Sequence, residues 1–381
     1  MKVYFPGLNG LRFFAAFAVI ICHVELFKAT WGFQHIWNYP FIDRLGSLGV
    51  DFFFALSGFL ITYLLFAEKQ KTSTISIKDF LLRRVYRIWP LYYLLVALVF
   101  FVLPNVSFIA MPAYWHDMIP EQFGTKLFLY LFLMSNVALA FFRSMPYGGV
   151  MWSIGVEEQF YILWPILNKY GKDILAIILS TIAFFLGLKV MMWLIIHFSD
   201  NPQALEGWKN LIVSTRMECM AIGALGSYLL YYKKENILNI IYKPFFQLFP
   251  IALIFLLLWL VPLSLDAGLH FILSFLSVII ILNVSTNPQS ILKLENRFWN
   301  HLGKISYGIY MYHMIVIAVF LHIFKHIPLL HPNSLLGNIA LYFCSVIGVV
   351  ALASVSYQYF EEPFIKMKRK HTKIVSGEEA K

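Results

Sequence analysis

Leu8-Asn9-Gly10-Leu11-Arg12-Phe13-Phe14-Ala15-Ala16-Phe17-Ala18-Val19-Ile20-Ile21-Cys22-His23-Val24-Glu25-Leu26-Phe27 is twenty residues long and continuously apolar apart from a few isolated polar positions. That length matches the roughly 20 residues an α-helix needs to cross about 30 Å of hydrocarbon. In lipid each backbone polar group must be satisfied within its own segment, so the stretch reads as a helix. A membrane β-barrel would alternate polar and apolar residues, and this run does not. The whole chain repeats the pattern. It has 381 residues, 60% of them hydrophobic and only 13% charged, where a soluble domain carries roughly 25% charged residues. The fold class expected is all-α, a polytopic integral membrane bundle.

Apolar runs set against polar breaks give about ten transmembrane helices. They lie near 8–27, 46–67, 80–103, 126–143, 173–197, 212–232, 244–262, 267–284, 303–324 and 336–360. One apolar stretch, 150–167, is left over and carries Glu157 and Glu158. The loop from Glu68 to Arg87 holds Lys69, Lys71, Lys78, Arg83, Arg84 and Arg87 against Glu68 and Asp79, which puts it on the cytoplasmic side. With ten spans, Lys169/Lys172, Lys233/Lys234/Lys243, Lys293/Arg297/Lys304 and Lys366–Lys373 also fall inside. The sparsely charged loops Pro104–Thr125, Ser199–Leu211 and Ser264–Asp266 fall outside. Counting 150–167 as an eleventh span reverses every later loop, so it is expected to be re-entrant or in-plane. Both termini are then cytoplasmic. Residues 1–362 form the membrane domain, and 363–381 form a basic, solvated tail.

The net charge of +10 therefore serves topology, and nucleic acid is not an expected partner. Cys22, Cys219 and Cys344 lie far apart in apolar stretches and read as small buried hydrophobes without a disulfide framework. The first span lacks a small-residue cleavage pattern and is read as retained.

Charged groups inside spans cost at least about 2.5–3.5 kcal/mol each on insertion scales, which makes them functional candidates. Arg12 and His23 are eleven positions apart, so they sit only about 20° apart around the helix axis and about 16 Å apart along it. Two readings stand for the pair: a functional face, or a snorkelling arginine with a hydrogen-bonded core histidine. Asp51, in Gly49–Leu60, and the small residues Ser57 and Gly58 suit close helix packing. Arg83 and Arg87 are an i, i+4 pair suited to clamping phosphate oxygens as well as to anchoring. Glu157 and Glu158 either support a histidine base or pair with a buried cation such as Arg12. Arg216 and Glu218 are expected to snorkel at the outer interface. His322, His326 and His331 lack the carboxylate or cysteine that would mark a metal site, and none is expected.

Taken in order, Gly7–Arg12 with its Arg-x10-His spacing to His23, Gly49–Thr62, Arg83–Pro90, Trp152–Pro165, Gly303–His313 and Tyr359–Phe364 resemble the acyltransferase 3 family of bacterial membrane O-acyltransferases. The resemblance spans nearly the whole chain. Gly155 stands where a serine is frequent, and Glu362 where a basic residue is common before Pro363. The resemblance implies transfer of an acyl group, usually acetyl, from cytoplasmic acyl-CoA to a hydroxyl of an extracytoplasmic glycan or glycoside. It implies catalytic roles for Arg12 and His23, to which Glu157 and Glu158 are added as candidates. Donor binding is assigned to Arg83, Arg84, Arg87 and Tyr307, with acyl-CoA as substrate and no permanently bound cofactor. Direct transfer is expected, because no serine or cysteine is evidently paired with a base, although Ser57 and Ser153 keep a covalent route open.

The expected location is the bacterial cytoplasmic membrane, with lipid and a carbohydrate acceptor as partners and the oligomeric state, a homodimer included, left open. Acceptor choice would fall to the outer loops, where Trp31, Trp37, Tyr114 and Trp115 suit either sugar stacking or interfacial anchoring. The rival reading is a proton-coupled exporter or flippase of a lipid-linked sugar. It is disfavoured by the lack of an inverted repeat and of broken-helix pairs.

Overall fold

The computed structural model describes residues 2–110, 122–142, 144–261 and 266–377, and 81% of these described residues are helical. A short strand β1 (Lys2–Val3) precedes α1 (Leu8–Thr30), α2 (Pro40–Thr72) and α3 (Ile77–Ala97). Then follow α4 (Phe123–Leu131), α5 (Ser135–Phe141), α6 (Trp152–Tyr170), α7 (Ile174–His197), α8 (Glu206–Ser214) and α9 (Met217–Tyr231). The chain continues through α10 (Glu235–Ile241), α11 (Pro244–Leu260), α12 (Asp266–Thr286), α13 (Arg297–Lys304), α14 (Ser306–Phe324) and α15 (Leu335–Ser356). It ends with α16 (Glu362–Met367) and β2 (Val375–Ser376).

Local chemistry sets many of the starts. Pro40 opens α2, where a missing N–H costs nothing. Side chains of Ser76, Asp173, Asn296 and Ser334 accept from the first turns of α3, α7, α13 and α15.

Among the described residues seven helices are long and apolar enough to cross a bilayer, and an eighth if α10 and α11, bent by 64°, form one span. Two expected spans differ in kind. The 126–143 run is two short helices, α4 and α5, because the chain turns at Phe132–Met134 with Leu133 at φ 59°. The 212–232 run is cut at Thr215–Arg216, so α9 has only 15 residues. The 150–167 stretch is largely one continuous helix, α6, packed against α2, α3 and α5. These breaks also correct the expectation that broken-helix pairs are absent.

α2 is the hub. It packs along α1, α9 and α12, and its crossing with α9 is made at backbone distance. A Cβ on Gly58 would run into the Met220 carbonyl, and one on Gly223 into the Ala55 carbonyl. Without a hydrophobic force between helices in lipid, such small-residue contacts are what hold a pair together.

The tail does not run free. β2 pairs in parallel with β1, Lys2 opposite Val375. Lys373 stands 3.8 Å from both Glu68 and Asp79.

Because overpacking a tight crossing typically costs about 1–3 kcal/mol, Gly58→Val and Gly223→Val should each lower the melting temperature of the detergent-purified protein. A melting temperature unchanged in both would refute the reciprocal crossing.

Candidate active site

Where α1, α2, α3, α6 and α14 meet at the basic end of the bundle, a cavity of about 1360 Å³, counting its mouth, opens between them. Arg12, Ser57, Arg84, Arg87, Glu157 and Tyr307 line it, and Lys368 and Thr372 of the tail stand at its wall. Arg83 also lines it but is committed elsewhere: it pairs with Glu68 at 3.1 Å and donates to the His371 carbonyl at 2.6 Å.

The other arginines are differently placed. Arg84 lies over the Tyr161 ring at 5.4 Å and the Phe80 ring at 5.5 Å, and its buried Nε has no hydrogen-bond partner. Arg12 donates to Asn9 Oδ1 at 3.3 Å. Among the described residues none of Arg12, Arg84 and Arg87 forms a salt bridge. With Glu68 taken by Arg83, three guanidinium groups share the cavity with one carboxylate, Glu157. Like charges in a low-dielectric pocket repel strongly, and an arrangement of this kind suits a ligand with several anionic oxygens.

Glu157 accepts from Ser57 Oγ at 2.6 Å, and Tyr161 OH donates to Ser57 Oγ at 3.3 Å. Glu158, one residue on, turns away. It accepts from Trp89 Nε1 at 3.1 Å, and its other oxygen is buried without a partner. A helix rotates about 100° per residue, so only one of two adjacent carboxylates faces the cavity. Tyr307 reaches the wall with its hydroxyl donating to the Ile88 carbonyl at 3.0 Å.

His23 does not line the cavity. Its Nδ1 lies 3.0 Å from the Val19 carbonyl and 3.2 Å from Nε2 of His313, which is fully buried. His313 Nδ1 lies 2.6 Å from the Tyr310 carbonyl. A carbonyl only accepts, so both Nδ1 atoms carry hydrogens. The His313 Nε2 lone pair then accepts from His23, which leaves His23 Nε2 as the bare, basic nitrogen of the neutral pair. His313 lies 290 residues from His23, and nothing local in the sequence links the two. Between this pair and the cavity, Tyr310 OH is 2.8 Å from Ser153 Oγ and donates to the Val150 carbonyl at 2.9 Å.

Several other buried charges are paired. Arg216 and Glu218 do not snorkel: they are 7% and 0% exposed. Arg216 bonds Asp51 at 2.9 Å, and Asp51 also holds His270 Nδ1 at 2.7 Å. Glu218 pairs with Lys189. Asp51 is thus an ion-pair centre as well as part of a packing motif. Glu25 is saturated by Lys28 at 2.8 Å, Tyr342 OH at 2.6 Å and the Ile36 N–H at 2.7 Å. Cys22 and Cys219 are buried and Cys344 half-buried. Among the described residues no three His, Cys, Asp or Glu side chains gather as metal ligands. Trp31 packs against His322, whereas Tyr114 and Trp115 lie outside the described residues.

A family model described as an acyltransferase domain, the acyltransferase 3 family, matches residues 5–358. A candidate O-acetyltransferase of Staphylococcus aureus strain COL is 28% identical over 390 residues, 95% of this chain and 58% of its own length. O-acetyltransferase OatA of Staphylococcus aureus strain NCTC 8325 / PS 47 is 26% identical over 386 residues, 95% of this chain and 57% of its own. The chain therefore spans less than two thirds of these relatives. No solved structure matches it.

The tautomer assignment is open to ¹⁵N NMR of histidine-labelled protein, with the His23 signals identified by their loss in His23→Gln. Wild-type His23 should report hydrogen on Nδ1. His313→Leu should give a mixture of tautomers, and an unchanged spectrum would remove His313 from that role.

Proposed function

Because the chain belongs to the acyltransferase 3 family, we propose that it is a membrane O-acyltransferase that moves an acyl group, most simply acetyl, from cytoplasmic acyl-CoA to a hydroxyl of an extracytoplasmic glycan or glycoside. The observation that carries the donor side is the cavity with three unpaired guanidinium groups. CoA brings several phosphates, and Arg84 and Arg87 near the basic end, with Arg12 deeper, offer them charge-assisted hydrogen bonds. Arg83 acts from outside this set, tying the tail to α3. Tyr307 and Glu157 complete the wall along which the acyl arm lies.

His23 is the base that takes the proton of the acceptor hydroxyl, through the Nε2 that His313 leaves bare. General-base catalysis of this kind contributes about 10²–10⁴-fold. Glu158, buried beside Trp89, holds the charge balance behind the arginines.

The orientation follows from charge. The basic loop between α2 and α3 and the basic tail share one end, and the positive-inside bias makes that end cytoplasmic. Ten crossings with both termini inside the bacterial cytoplasmic membrane accommodate this, with the broken α4–α5 and the bent α10–α11 counted as crossings and α6 as an inserted helix. The exporter or flippase reading gains from those breaks, since discontinuous helices mark many transporters, and sugar phosphates would also suit the arginines. It does not call for thioester cleavage, and that separates the two.

Purified protein given acetyl-CoA and a panel of bacterial surface glycans should release free CoA thiol in an acceptor-dependent way. His23→Ala should lower kcat by about 10²–10⁴-fold, and Arg87→Glu should raise KM for acetyl-CoA without raising that for the acceptor. Absence of thiol release across the panel would favour the transporter. A topology reporter fused after Lys233 should read cytoplasmic, and a periplasmic reading would overturn the ten-span arrangement.

A further inference from the structure

We propose that Ser57 carries the acyl group as a transient ester, so that transfer runs in two steps through a covalent enzyme intermediate; this rests on the acyl-CoA reading above. Ser57 is fixed by its surroundings more firmly than a surface serine would be. Gly58, its neighbour, is pressed on the Met220 carbonyl of α9, so the backbone that presents the hydroxyl has little freedom. The hydroxyl lines the cavity and donates to the Glu157 carboxylate at 2.6 Å. A third group, Tyr161, donates to the Ser57 oxygen at 3.3 Å. Nucleophile and base within hydrogen-bond reach, inside a cavity built for the donor, is the arrangement that covalent catalysis requires.

The position of His23 gives the second argument. One-step transfer needs CoA, the acceptor and the base held in the site at the same time. His23 is not on the wall of the donor cavity; it sits against His313, beyond the Ser153–Tyr310 hydrogen bond. An acyl group parked on Ser57 lets CoA leave before the acceptor is engaged.

The chemistry balances. Ser57 Oγ gives its proton to Glu157 and bonds to the thioester carbonyl carbon; the C–S bond breaks, and CoA departs as thiolate among the arginines. In the second step the acceptor hydroxyl gives its proton to His23, its oxygen bonds to the ester carbon, and Ser57 Oγ leaves, recovering its proton from Glu157. The proton on His23 then passes to solvent, matching the one that free CoA thiolate takes up.

The test uses the full chain in detergent with radiolabelled acetyl-CoA. Without acceptor, wild-type protein should release a burst of thiol equal to about one per chain, and mass spectrometry should place acetyl on Ser57. Ser57→Ala should lose the label and at least about 100-fold of acceptor-dependent thiol release, with its melting temperature kept. Ser57→Cys should regain label as a thioester, cleaved by neutral hydroxylamine where the serine ester is not. If Ser57→Ala turns over like wild type, or if the label sits elsewhere, the proposal fails while the acyltransferase reading stands. Loss of turnover in Ser57→Ala with no label on wild-type protein also overturns it, leaving Ser57 to orient Glu157. If wild-type protein releases no thiol under any condition, the acyltransferase reading itself falls.

Discussion

Asp51 sits fully buried with Arg216 on one oxygen and His270 on the other, and this requirement that a charge in an apolar bundle be met governs the rest of the molecule. Removing one partner of such a buried pair typically costs about 3–5 kcal/mol, because the other charge is stranded. The same demand explains Lys189 with Glu218 and the saturation of Glu25 by three donors. These clusters spend most of their carboxylate oxygens on protein donors, one buried oxygen of Glu218 excepted, so they hold helices together and have little left to offer a ligand. The cavity cations are the exception. Among the described residues Arg12, Arg84 and Arg87 line the cavity without ion pairs, an arrangement that suits the anionic donor proposed above.

α2 connects the two regimes. From one helix, Asp51 reaches α9 and α12, Ser57 reaches α6, and Thr62 accepts from Trp164 of α6 at 2.8 Å. Between them Gly58 lets α9 come to backbone contact. A shift of α2 along its axis would break the ion-pair centre and displace the Ser57–Glu157 contact together. The motif Gly49–Thr62 thus encodes packing, charge pairing and site geometry in fourteen residues.

Much of this was legible in the sequence, and the limits have physical causes. Long apolar runs identify α1, α2, α3, α7, α14 and α15, because hydrocarbon thickness fixes their length. The arginine cluster and the two glutamates stood out because isolated charge in an apolar run is costly wherever it falls. Continuous hydrophobicity hid the break between α4 and α5, since Leu133 adopts a left-handed conformation that no apolar pattern signals. Arg216 looked like an interfacial residue because it lies at a helix start; its partner Asp51 is 165 residues earlier in the chain. Arg83 and Arg84 are adjacent and chemically alike, yet Glu68 and the returning tail engage only the first. Such assignments depend on tertiary partners and have no local trace.

The first helix shows how far one face can serve two environments. Arg12 and His23 share that face, as their spacing requires, but Arg12 lines the arginine-rich cavity while His23 meets His313. The Ser153–Tyr310–Val150 hydrogen bonds lie between them, joining α6 to α14. Transfer between opposite sides of a membrane, as proposed above, requires that water and ions be kept from following. The Ser153–Tyr310 contact, part of the cavity wall on the side of the histidine pair, is suited to that demand. Moving a whole substrate past it would require α6 and α14 to part, breaking that contact and opening the cavity onto the histidine pair.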